Sequence, residues 1–273
     1  MSVATFAAAQ LLRLLPRSGV SHAVGRLCDK PLPPALSRAV TGAYIRAYGV
    51  DMKDVAPEEG SYPSFDAFFT RPLRGGARTI SSDAVVSPAD GRLVDSGVID
   101  PRSELVVKGK PYNVAELVGD AAEGERLAGG AFAVVYLSPR DYHRVHCPVD
   151  GRIGLIRGIP GDLYPVNSIG EQHVPNLFAK NQRVALSVDT ERLGRVVVIL
   201  VGAMIVGRIT VRAIPGEDTP LGVHRLEPAL PVARGDEIGM FHLGSTVVLL
   251  AGKGVAFSRR PGPVLYGDSL LSP

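Results

Sequence analysis

From about Ile80 onward the chain is a succession of short β-branched runs separated by glycine and proline. The clearest are Ala131 to Leu137, Arg183 to Val188, Arg195 to Val201, Ile205 to Ile214 and Thr246 to Leu250. Strands at such close spacing, with few helix-length patterns among them, predict a mostly β body. Two similar phrases, Ser87-Pro-Ala-Asp-Gly-Arg-Leu93 and Cys147-Pro-Val-Asp-Gly-Arg-Ile153, point to an internal duplication of a β unit. Cys28 and Cys147 are too few for a disulfide framework, so a reducing compartment is expected.

The first fifty residues read differently. In Ala4 to Leu15, Gln10, Arg13 and Arg17 share one side at helical spacing, and Phe6, Leu11, Leu12, Leu14 and Leu15 cover much of the rest. That pattern suits a helix lying in a membrane interface; packing on its own domain is the alternative. Val20, Val24 and Leu27 suggest a second helix. Pro34 opens a third, whose Leu36, Ala39, Val40, Ala43 and Ala47 form an apolar stripe ended by Gly49. Of 30 basic and 27 acidic residues, six basic and one acidic fall here, leaving a body of 24 against 26. A basic, apolar front on a near-neutral body points to an anionic surface as partner. The run Val3 to Leu15 is shorter than the ~20 residues of a spanning helix, and no convincing signal-peptide cleavage site follows it. Nucleic acid is disfavoured, because the body lacks interleaved basic and aromatic residues.

The expected fold class is therefore α+β. Residues 1–50 form an N-terminal helical, membrane-associating region, 51–79 a connector, and 80–273 a mostly β body of duplicated, sandwich-like units. The connector's Tyr62, Phe65, Phe68 and Phe69 are expected to pack as core.

Three segments carry potential chemistry: Asp90 within Ser87-Pro-Ala-Asp-Gly, the stretch Tyr136 to His146 containing His143 and His146, and Phe241-His-Leu-Gly-Ser-Thr246. Singly, each has an ordinary structural reading, as a turn aspartate, surface histidines or the start of a strand. Together they supply an acid, a histidine and a hydroxyl, the set that activates a serine. His242 lies within the third segment, close to Gly244 and Ser245, but successive strand residues point to opposite faces, so it is set aside as a base.

In this order and at these separations, the three segments resemble the bacterial phosphatidylserine decarboxylase family. Leu243-Gly-Ser-Thr246 is similar to its cleavage motif, Asp141-Tyr-His-Arg-Val-His146 to its histidine motif and Ser87-Pro-Ala-Asp-Gly-Arg92 to its aspartate motif. Phe65 to Leu73 and Asn176 to Val184 extend the resemblance. It implies a precursor that cuts itself between Gly244 and Ser245 into a β chain, 1–244, and an α chain, 245–273. Ser245 becomes a pyruvoyl group, the covalent cofactor, which holds the substrate amine as a Schiff base and acts as electron sink. The reaction implied is conversion of phosphatidylserine to phosphatidylethanolamine and CO2, with no metal.

Under that resemblance His146 is the base for Ser245, Asp90 fixes its tautomer, and Gly244 leaves the carbonyl open and permits a strained backbone. His143 protonates the carbanion or orients the carboxylate. The implied setting is the cytoplasmic side of a cell membrane, peripherally bound, as a dimer of α–β heterodimers. Two rivals are a lipoyl-carrier-like β module, which lacks a convincing hairpin lysine here, and a zinc peptidase using His143, His146 and Asp90.

Overall fold

A computed structural model describes residues 17–166, 168–204 and 208–271. The helix expected over Ala4 to Leu15 lies outside them. Helix α1 spans Arg17–Asp29 and α2 spans Pro34–Tyr48. Proline begins α2, where its missing N–H costs nothing, and Gly49 at φ 65° ends it with its N–H on the Ile45 carbonyl. The inner face of α2 mixes polar and aromatic residues: Ser37 and Thr41 are buried, Ser37 Oγ donates to the Tyr62 carbonyl at 2.6 Å, and Tyr44 packs against Phe65, Phe68 and Phe69. The stripe Leu36, Ala39, Val40, Ala43 and Ala47 faces outward. A short helix, α3, Phe65–Phe69, is capped by Ser64 and buries Phe68 and Phe69.

Antiparallel strands build the body. Its main sheet has eight: β1 (Gly91–Val98), β4 (Ala131–Leu137), β6 (Gly151–Ile159), β7 (Arg183–Thr190), β8 (Gly194–Val201), β10 (Gly222–Val232), β12 (Ser245–Ala251) and β13 (Gly262–Val264). β2 (Glu104–Val107) and β3 (Lys110–Asn113) form a hairpin. β5 (Arg144–His146), β9 (Arg208–Val211) and β11 (Glu237–His242) form a small second sheet in the order β5-β11-β9. The expected strand at Ile205 to Ile214 contracts to β9, within the described residues.

The main sheet runs β10-β6-β7-β8-β12-β4-β1-β13, and this order exposes the duplication. In chain order β1, β4, β12 and β13 occupy the next-to-edge, inner, central and edge places of one half. β6, β7, β8 and β10 occupy the same places in the other. The two similar phrases end where β1 and β6 begin. A methyl group on Gly91 or Gly151 would overlap a neighbouring strand's carbonyl oxygen, that of Tyr136 or Asp189, so both positions need glycine. The second half is inserted between β4 and β12. The chain re-enters the first half at Ser245, and β12, clamped between β8 and β4, is buried along its length.

Candidate active site at the junction of the two sheets

Leu243 and Gly244 carry the chain from β11 in the small sheet to β12 in the large one. The direction change falls on Leu243, at φ 88°. A left-handed backbone at a branched, nearly buried residue costs about 1–2 kcal/mol. The strain expected at glycine therefore sits one residue earlier, because Leu243 makes the turn while Gly244 avoids positive φ. Gly244 does leave its surroundings open: among the described residues, its own chain neighbours aside, no heavy atom lies within 4 Å of where its Cβ would be.

Ser245 is buried, and its Oγ has no hydrogen-bond partner among the described residues. Gly244 and Ser245 line a cavity of about 300 Å³. Its other walls are largely apolar: Val24 of α1, Tyr44 and Tyr48 of α2, Phe65 and Phe69 of α3, and Val166. Part of the aromatic cluster expected as core thus lines the site.

His143 follows β4, whose last residue, Leu137, pairs with Ser245. The Asp141 carboxylate gathers the intervening turn by accepting from Ser138 N–H and Oγ–H, each at 2.7 Å. Phe241 N–H donates to the His143 carbonyl, so residues on both sides of the 243–244 turn bond the segment carrying this histidine. Its Nδ1–H donates to the Asp141 carbonyl at 2.8 Å, which leaves Nε2 without a proton. Nε2 has no partner among the described residues, and the ring lies 4.1 Å from that of Phe69. Complete burial pushes its pKa down to about 3; the Asp141 bond opposes the shift and Arg71 adds to it.

His146 has a different setting. Nδ1–H donates to the Gly235 carbonyl at 2.7 Å, Tyr142 O–H donates to Nε2 at 3.1 Å, and Tyr266 stacks on the ring at 3.7 Å. Burial lowers its pKa, while the Gly235 bond and the charges of Glu237 and Asp90 act upward. Asp90 does not bond the imidazole. Its carboxylate accepts from Arg78 Nε and Nη2, at 3.1 and 2.7 Å, and from Tyr266 N–H at 2.8 Å. The tautomer of His146 is therefore set by the Gly235 carbonyl, not by Asp90, because a guanidinium and a main-chain donor already occupy the carboxylate. Asp150, the equivalent aspartate of the second phrase, likewise takes an arginine, Arg234, at 3.0 Å. Tyr266 still joins the pair, with its N–H on Asp90 and its ring over His146.

His242 faces elsewhere, as strand alternation predicts. It bonds Asp66 at 2.9 Å and Thr210 Oγ1 at 3.1 Å beside a separate polar cavity. His143 and His146 do not converge with a third ligand: among the described residues no group of three His, Cys, Asp or Glu side chains is gathered for a metal. Sequence reading missed Arg78, Tyr142 and Tyr266. Tyr142 lay inside the histidine motif and was a legible candidate; nothing local marks the other two.

The sequence model described as phosphatidylserine decarboxylase matches residues 65–271. A phosphatidylserine decarboxylase proenzyme of Marinobacter nauticus is 42% identical over 255 residues, covering 88% of this chain and 86% of that one. One from Myxococcus xanthus is 40% identical over 268 residues, covering 96% and 92%. One from Acinetobacter baumannii is 41% identical over 243 residues, covering 87% and 84%.

Proposed function

The chain belongs to the phosphatidylserine decarboxylase family, and from that premise we propose that it converts phosphatidylserine to phosphatidylethanolamine and CO2 after cutting itself between Gly244 and Ser245. The observation that carries this reading is a buried, unpartnered hydroxyl, Ser245 Oγ, directly after a strained turn and lining an apolar cavity. An orphaned buried hydroxyl costs free energy, and attack on the adjacent Gly244 carbonyl gives it a use.

Ser245 Oγ adds to that carbonyl and the amide becomes an ester. β-Elimination leaves Gly244 as a carboxylate and residue 245 as dehydroalanine; tautomerisation and hydrolysis release ammonia and leave a pyruvoyl group. His146 takes the serine proton at Nε2 once Tyr142 O–H yields that position. Asp90 acts through space, its charge stabilising the imidazolium. The site fits the group it would carry: position 245 is buried, lined largely by apolar side chains, and fixed at the head of a strand paired on both sides.

The pyruvoyl carbonyl supplies the electron sink that no standard side chain offers. His143 supplies the proton. Its Nε2 is bare in the uncut chain; an anionic substrate beside it raises its proton affinity, and the proton is then delivered to the carbon that has lost CO2.

The outward stripe of α2 supports a membrane-borne substrate. Leu36 and Val40 are exposed, Arg38 and Arg46 flank them, and Tyr44 and Tyr48 of the same helix line the cavity reaching Ser245. A lipid held at that face is thus close to the reacting residue. Basic side chains near an anionic leaflet contribute about 1 kcal/mol each. No helix among the described residues is long and apolar enough to span a bilayer, so the association we propose is peripheral, on a cytoplasmic membrane face. Pairing of two α–β units rests on the family resemblance alone.

Purified protein incubated with phosphatidylserine vesicles tests the reading. Phosphatidylethanolamine and CO2 form in equal amounts, and borohydride pretreatment, which reduces a pyruvoyl carbonyl, abolishes both. Full turnover after borohydride would sink it.

A further inference from the structure

Arg71 is 2% exposed, yet among the described residues it has no carboxylate partner. Burying a guanidinium without a paired carboxylate is costly. The hydrogen bonds of this one run to main-chain oxygens, its central carbon lies 5.3 Å from the Phe68 ring centre, and its Nε has no partner among the described residues. Nη1 reaches the Phe68 and Phe69 carbonyls, both at 3.5 Å, at the end of α3. Nη2 reaches those of Arg140 and Asp141 at 3.3 and 3.5 Å. The two groups so joined are the two supports of His143. Phe69 packs on its ring, and the Asp141 carbonyl takes its Nδ1–H.

We propose that Arg71 is the positioning residue for His143, forking across both supports so that the bare Nε2 is held in place. The inference rests on the role given to His143 above. Arg71 is not among the residues lining the cavity at Ser245; it acts through the carbonyl that fixes the tautomer and the ring that fixes the plane. It is also the charged side chain acting on the imidazole through space. Of the other charges on the segment carrying His143, Asp141 turns to Ser138 and Arg140, and Arg144 to Glu237.

The test uses the uncut full-length Ser245→Ala protein, with and without Arg71→Met, and follows the His143 imidazole by NMR against pH. In the parent, burial should place its midpoint far below the ordinary imidazole value, at about 3; Arg71→Met should raise it, since a cation is lost while burial remains. In the self-cleaving background the same substitution should lower kcat about 10-fold or more at unchanged KM, as misplacement of an acid does. Arg71→Lys keeps the charge but cannot span four carbonyls, so its midpoint stays near the parent's while kcat still falls. A parental midpoint in a well-folded Arg71→Met protein overturns the proposal. If that variant does not fold, Arg71→Lys decides: wild-type kcat overturns the proposal, reduced kcat at unchanged KM upholds it. Full decarboxylation by His143→Ala would remove the role of His143 itself, and the NMR midpoint then reports on Arg71 separately.

Discussion

Strain at Leu243 makes a quantitative prediction, isolated by comparing Leu243→Ala with Leu243→Gly. Both lose the leucine side chain, nearly all of it buried, so the cavity cost is common to the two. They differ in backbone. At φ 88° alanine keeps the penalty and glycine removes it, a difference of about 1–2 kcal/mol. In a Ser245→Ala background, urea unfolding should show the glycine variant more stable than the alanine variant by that amount, reversing the usual order. If the strain is released as Ser245 attacks and the 244–245 peptide breaks, the same energy raises the barrier for glycine. The self-cleavage rate, read from the appearance of fragments on denaturing gels, should then be about 5–30 times lower for Leu243→Gly than for Leu243→Ala. A glycine variant that is less stable, or that cleaves as fast, would show that the turn at 243 stores nothing used in the reaction.

His143→Ala should still cut itself but release CO2 poorly from phosphatidylserine; failure to cut would transfer the base from His146 to His143. Acid should destabilise the uncut protein. The pKa of His143, about 3 when folded, lies below the unfolded value near 6.5, so nothing is lost above pH 6.5. As pH falls from there toward 3 the unfolded chain takes a proton that the folded one refuses, at a cost of up to about 1.4 kcal/mol per unit. His146 adds in the same direction; urea titrations of Ser245→Ala with and without His143→Gln should show the slope shrink in the second. Leu36→Glu with Val40→Glu should weaken sedimentation with phosphatidylserine vesicles at least about 10-fold and leave self-cleavage unchanged; undiminished binding would move the contact to another surface, such as the segment around Tyr164 to Phe178.

What was legible in the sequence was mostly local. β4 runs from Ala131 to Leu137 as its apolar run predicts, and α2 begins at Pro34 and ends before Gly49 because proline and glycine punctuate helices. The duplicated phrase identified two equivalent strand starts. Which way α2 faces was not legible, since a stripe of leucine, valine and alanine looks the same buried or exposed. Ser37 faces inward onto the Tyr62 carbonyl, Tyr44 packs there on Phe65 and Phe68, and Thr41 satisfies its hydroxyl within the helix on the Ser37 carbonyl. The candidate site was legible as residue types but not as bonds. The arginine on Asp90 lies 12 residues away, the N–H of Tyr266 is 176 away, and the carbonyl that orients His146 is 89 away. Motifs gather reacting groups; distant chain decides their partners.

Self-processing at Ser245 is tested most directly by the intact masses, under denaturing conditions, of the purified protein and of its Ser245→Ala variant. The wild type should give fragments of residues 1–244 and 245–273, the smaller with a pyruvoyl group in place of its first residue, while Ser245→Ala gives one full-length chain. A well-folded wild type that remains a single uncut chain, or a Ser245→Ala variant that is cut at the same place, would contradict the mechanism.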